Sequence, residues 1–117
     1  MNKKDIIKQM HQSIVKGNLD TYRELFMNTN INEAADPYWK KSLRFYTELS
    51  NETKEILFKI IEQIEVDTLS TILGVIDEGM IVGEKVEVEF KLTVNNTTEP
   101  INGDLQDLFL EYDEATR

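Results

Sequence analysis

Residues 36–79 constrain this chain more than any other stretch. DPYWKKSLRFYTEL, SNETKEILFKIIEQIE and VDTLSTILGVIDEG follow one another with helical spacing. The first segment opens on Asp36-Pro37. Aspartate suits an N-cap, and proline suits the first helical position, where its missing N–H is not needed. Tyr38, Trp39, Ser42, Leu43, Phe45, Tyr46 and Leu49 then share one broad stripe, with Lys40, Lys41, Arg44, Thr47 and Glu48 opposite. This pattern puts Trp39 in the core, where truncation to alanine is expected to cost about 3–5 kcal/mol.

The second segment has Ser50 or Asn51 as its cap, and Glu52 and Glu55 at the positive end of the helix dipole. Its inward stripe reads as Ile56, Leu57, Ile60, Ile61 and Ile64. Phe58 falls off that stripe, as a second contact surface or as a residue that another segment covers. Val66-Asp67 reads as a bend, with Asp67 capping a third helix that carries Leu69, Ile72, Leu73 and Ile76. Gly74 weakens that helix by about 1 kcal/mol relative to alanine, which close packing would justify. Gly79 reads as the stop.

Before this stretch, residues 3–16 form an amphipathic helix with Ile6, Ile7, Met10 and Ile14 inward. Gly17-Asn18 is the expected turn, and residues 19–28 form a second helix carrying Leu19, Tyr22, Leu25 and Phe26. After Gly79 the period changes to two. Val86, Val88, Phe90, Leu92 and Val94 alternate with polar residues, which predicts a strand over 85–94. Met80–Val82 is its hairpin partner across Gly83-Glu84, and Asn95–Thr98 is a turn. Glu99–Ile101 is expected to return as a short strand. A lone hairpin is marginal in water, so this one is expected to pack on the helices. GDLQDLFLEYDEA closes the chain as a helix, with Asp104 as N-cap and Leu105, Leu108, Phe109 and Tyr112 inward. The fold class is therefore α+β: a mainly helical single domain over residues 1–117, with a short late β-hairpin and a C-terminal helix.

Residues 36–79, with FKLTVNN and INGDLQDLFLEYDE, resemble a group of small uncharacterised bacterial proteins. The pattern is Tyr38-Trp39, Phe45-Tyr46, Leu49-Ser50, Val66-Asp67-Thr68 and Gly103-Asp104-Leu105-Gln106-Asp107. The resemblance runs from about residue 36 to the end. It implies an intact domain and no particular activity. One departure is Asp77-Glu78-Gly79 in place of an immediate Asp-Gly, so the turn into the strand is expected to differ.

Charge narrows the partner classes. The net charge is −9, and it is unevenly placed. Residues 1–50 hold eight Lys/Arg against six Asp/Glu, whereas residues 51–117 hold five against sixteen. An acidic second half disfavours nucleic acid and anionic membranes and favours a basic protein partner. The one basic cluster, Lys40, Lys41 and Arg44, is small against that background. There is no cysteine, so disulfide and thiolate chemistry are excluded. MNKKDIIKQMHQ mixes charges into its apolar residues and does not read as a signal peptide, so a cytoplasmic location is expected.

No catalytic constellation stands out. His11 is the only histidine, and with no second soft ligand it reads as a surface residue at a helix boundary. Glu62, Glu65 and Asp67, and separately Asp104, Asp107 and Glu111, have spacings that suit an oxygen-ligated cation, but no EF-hand loop surrounds them. Tyr38, Trp39, Phe45 and Tyr46 read as core before they read as a ligand box. The glycines match no phosphate loop, and no cofactor motif is present. The primary reading is a non-enzymatic acidic protein-binding module, inhibitor- or immunity-like. Its candidate binding residues are Glu62, Glu65, Glu87, Glu89, Asp107 and Glu111, with Phe58 beside them. The alternative is a small carboxylate enzyme, with or without a divalent metal.

Overall fold

The computed structural model describes residues 1–117. It opens on a long helical rod made of α1 (Lys3–Met10), a π-helical segment (His11–Lys16) and α2 (Gly17–Asn28), which run on without a turn. The expected turn at Gly17-Asn18 does not form, and Gly17 keeps helical dihedrals of −60° and −47°. The reason lies on either side of it. Val15 and Leu19 are both buried, and a turn would carry one of them out. Burying a side chain of that size is worth about 1.5–3 kcal/mol, more than the roughly 1 kcal/mol that a helical glycine costs.

A short 3₁₀ turn (Ile31–Glu33) leads to α3 (Pro37–Thr47), which starts as the sequence predicts. The Tyr38 N–H donates to Asp36 Oδ1 at 2.8 Å. Leu43 and Tyr46 are buried, but Tyr38 and Phe45 are exposed. Trp39, expected in the core, is only half-buried. It lies against the outer rim of Tyr22 and Phe26, with ring centroids 6.3 Å from each, and it also lines an open groove.

The spine is α4 (Asn51–Glu78), a single helix about 42 Å long. Ser50 caps it, accepting from the Thr53 N–H at 3.2 Å. No bend occurs at Val66-Asp67. Val66 is buried in mid-helix, and Asp67 accepts a hydrogen bond from Gln63 Nε2 and caps nothing. The inward face also differs from the expected one. Phe58, Val66, Leu69, Ser70, Leu73 and Gly74 are buried, whereas Ile56, Ile60, Ile64 and Ile72 are about half exposed. Small residues explain the choice. A Cβ on Gly74 would stand 2.8 Å from the side-chain nitrogen of Gln106, so the neighbouring helix comes in over Ser70 and Gly74 and not over the isoleucines.

The chain leaves α4 at Gly79, whose φ of 79° favours glycine. The strands β1 (Met80–Val82) and β2 (Lys85–Val88) form the expected antiparallel hairpin, with a bulge between Met80 and Ile81. They do not pack on the helices, and all seven residues are exposed. The strand predicted to reach Val94 ends at Val88. Beyond it the backbone is held by a side chain: Asn102 accepts from the Leu92 N–H and donates to the carbonyls of Phe90 and Ile76. Asn95 turns the chain as expected, with φ 53°. The return at Ile101 is a single backbone bond to the Leu92 carbonyl, at 2.8 Å, and not a strand.

The last helix, α5 (Leu105–Thr116), buries Leu105 and Phe109 against Ile7, Val15, Val66, Leu69 and Leu73. A second, smaller core joins Leu19, Tyr46 and Phe58. Asp104 stands at the N-cap position of α5 but makes no capping bond, and pairs with Lys3. The cap comes from the end of α4. Asp77 accepts from the N–H groups of Gly103, Leu105 and Gln106 at 2.7, 3.1 and 2.8 Å. Replacing Asp77 by alanine should therefore cost about 2–4 kcal/mol in denaturant unfolding, because three N–H groups lose their acceptor. Asp104→Ala, which removes only a surface ion pair, should cost less than about 1 kcal/mol.

Candidate functional site

Two rows of residues meet where α1 and the π-helical segment face α5. Ile7, His11 and Val15 recur every four residues on the rod, as Leu105, Phe109 and Asp113 do on α5. All six are buried. His11 is therefore not the surface residue that the sequence suggests, since it is 1% exposed. Its Nε2 lies 2.9 Å from Asp113 Oδ1, so the carboxylate selects the tautomer with hydrogen on Nε2. Asp113 Oδ2 accepts from Arg117 Nε at 2.9 Å and from its terminal nitrogen at 2.7 Å. Tyr112 meets the imidazole edge-on at 5.0 Å, and Phe109 lies 5.6 Å away. His11 Nδ1 is buried without a hydrogen-bond partner.

This cluster is a strut between helices, with no nucleophile beside it. A groove of about 190 Å³ runs past it, lined by Ile7, Leu108, Tyr112 and their neighbours but not by His11. Burial pushes the Asp113 carboxyl up, but the hydrogen bonds from His11 and Arg117, with the Arg117 charge, outweigh burial. Together they hold the carboxyl below the usual carboxylate range. A depressed folded-state pKa gives stability that is complete above the unfolded value of about 4 and is lost as pH falls through the folded value.

The sequence-derived carboxylates separate into two kinds. Glu62 bonds Lys16 Nζ at 3.1 Å, and Glu65 accepts from Asn18 Nδ2 at 3.0 Å. Both tie the rod to α4. Glu87, Glu89, Asp107 and Glu111 are exposed and take part in no ion pair. No three His, Asp or Glu side chains come close enough to hold a cation between them. Phe58, a candidate contact residue, is 1% exposed, and the Arg23 guanidinium lies over its ring at 4.4 Å. Arg23 also forks onto Glu55, with both bonds at 3.2 Å. Those hydrogen bonds, above all, lower the Glu55 carboxyl below its ordinary range.

Beside the half-exposed isoleucines of α4, two apolar features are open to solvent. One is a groove of about 390 Å³ between α2 and α3, lined by Leu25, Ala34, Ala35, Trp39 and Leu43. Its polar edge is Thr29 and Asp36, and Asp36 is already engaged as a cap. The other is the hairpin. Met80 faces Val88 and Ile81 faces Val86 across the bulge, so the hairpin carries two cross-strand apolar pairs. They are 51%, 41%, 55% and 58% exposed respectively. Glu78, Glu84, Glu87 and Glu89 are interspersed with these pairs in the sequence, with Lys85 the only cation between residues 78 and 89. Exposed apolar side chains among carboxylates, next to two unpaired strand edges, have the composition of a protein-binding patch.

No family model, no curated protein and no solved structure matches the chain.

Replacing Asp113 by asparagine should lower stability by about 1–3 kcal/mol at pH 7, because the charge-assisted bonds to His11 and Arg117 weaken. In paired unfolding curves, the gap between the wild type and Asp113→Asn should be constant above about pH 5 and should close as pH falls below about 4.

Proposed function

We propose that this chain is a non-enzymatic protein-binding module that engages a basic protein through its hairpin. The observation that carries this reading is the Met80–Val88 hairpin, which exposes both of its faces and rests on no helix. A two-stranded hairpin is marginal by itself, and a partner that adds a strand to its edge or covers its apolar side chains would stabilise it. Glu84, Glu87 and Glu89 on that segment make a basic surface the complementary one, and the excess of Asp/Glu over residues 51–117 extends the same field. Asp107 and Glu111, exposed on α5, contribute to the field at longer range.

The carboxylate-enzyme alternative draws no comparable support. Glu62 and Glu65 are engaged with Lys16 and Asn18, and Asp104 with Lys3. An inhibitor- or immunity-type role is consistent with a rigid helical body that presents one short, acidic, apolar-centred element.

The test is affinity capture on the immobilised protein, followed by association kinetics of whatever is captured. The captured protein should be basic, and its on-rate should fall with added salt. The double variant Glu87→Lys/Glu89→Lys should lower that on-rate on the order of 10-fold while leaving the melting temperature within a few degrees of wild type. A captured partner whose on-rate is indifferent to salt and to these reversals would contradict the proposal.

A further inference from the structure

The outward face of α4 differs from every other exposed face of this acidic chain. Its exposed residues between positions 56 and 75 are Ile56, Lys59, Ile60, Gln63, Ile64, Asp67, Thr68, Thr71, Ile72 and Val75. Half of them are large and β-branched, and four of those are 49–57% exposed. One lysine and one aspartate leave the face uncharged, although the chain as a whole carries −9. Ile56, Ile60 and Ile64 follow each other every four residues, so they form a single ridge along the helix.

The size of the uncovered surface points the same way. A folded chain of 13.6 kDa exposes about 6,600 Å² when it buries its surface as monomers do, whereas this one exposes 8437 Å². The radius of gyration is 18.3 Å against about 13 Å for a typical domain of this length. The surplus, about 1,800 Å² per chain, is shared by the exposed hairpin, the open groove at Trp39 and this face of α4, and leaves room for an interface between copies.

We infer that the isoleucine ridge of α4 is the interface with a second copy of this chain. The two helices pack antiparallel about a two-fold axis near Gln63 and Ile64. Four observations favour a second copy over a heterologous protein. The ridge is self-complementary in shape, since the i, i+4 rows of two identical helices interdigitate. It carries none of the excess negative charge that would select a basic partner. An antiparallel pairing at this centre brings Lys59 of one copy towards Asp67 of the other, so both charges of the face are matched. The surplus area leaves room for such a dimer. The hairpins then stand at opposite ends of the paired helices, free for the partner proposed above, and the dimer forms whether or not that partner is bound.

Sedimentation velocity on the wild-type chain should give a species of about 27 kDa, twice the chain mass of 13.6 kDa, at concentrations on the order of 10 μM. Ile60→Glu/Ile64→Glu should raise the dissociation constant by on the order of 100-fold or more, because it sets four carboxylates across the two-fold. These side chains are already about half exposed, so the helical circular-dichroism spectrum should remain that of the wild type. The hairpin variant Ile81→Ser/Val86→Ser should stay dimeric. A wild type that sediments at 13.6 kDa throughout this range would overturn the inference. So would a dimer that survives Ile60→Glu/Ile64→Glu, or one that dissociates with Ile81→Ser/Val86→Ser instead.

Discussion

The carboxylate of Asp77 holds the two ends of this fold together. It sits one residue before the last residue of α4 and accepts three N–H groups at the start of α5. Asn102, directly before them, ties the end of α4 to the extended segment through Ile76, Phe90 and Leu92. With its N-terminus fixed there, α5 lies along α4, where Gln106 donates to the Ser70 carbonyl and fills the space above Gly74. That placement brings Asp113 to His11 and so sets the position of the rod. An aspartate at one helix end, a glycine one turn earlier and an asparagine in a loop thus determine how three helices meet.

Local features of this arrangement were legible in the sequence. The Asp36-Pro37 start, the Ser50 cap, the Gly79 stop, the hairpin pairing and the inward face of α5 depend on neighbours a few residues away. The features missed depend on distant ones. His11 and Asp113 are 102 residues apart, and although Arg117 pairs with Asp113 one turn on, nothing near either residue in sequence reveals the contact between them. Their positions did hold a signal: each falls on a four-residue row of apolar side chains, and a charged group on such a row needs a buried partner. The error at α4 has another cause. Helical periodicity finds apolar stripes, and this helix has two of them. The stripe richer in isoleucine looks like the inner one, but the contact goes to the side where Ser70 and Gly74 admit a neighbour closely. Small residues score as neutral in a hydrophobic pattern, so the pattern does not rank the two sides. Trp39 failed for a related reason, since its stripe is real but α3 stands at the end of the molecule, where nothing covers it fully.

The resulting body buries most where α1, the π-helical segment, α4 and α5 converge, with a smaller core at Leu19, Tyr46 and Phe58. Its net acidity, its open hairpin and its uncharged isoleucine ridge lie outside that convergence. They differ in character, and so do their complements. The hairpin joins apolar side chains to carboxylates, and the partner proposed for it is a basic protein. The ridge has balanced charge and suits its own copy. Neither surface is needed to hold the helices together.

Amide hydrogen exchange, resolved by residue on the isolated chain, tests that division most directly. The N–H groups of Leu105 and Gln106, which Asp77 accepts, should be protected by roughly the global free energy of unfolding. Those of Ile81 and Val86 should exchange with protection of about 1–2 kcal/mol or less, as in a hairpin that draws no stability from the helices. Hairpin amides as slow as that of Gln106 would mean that the hairpin is part of the folded core, and would contradict the division between a cooperative helical body and an independent hairpin.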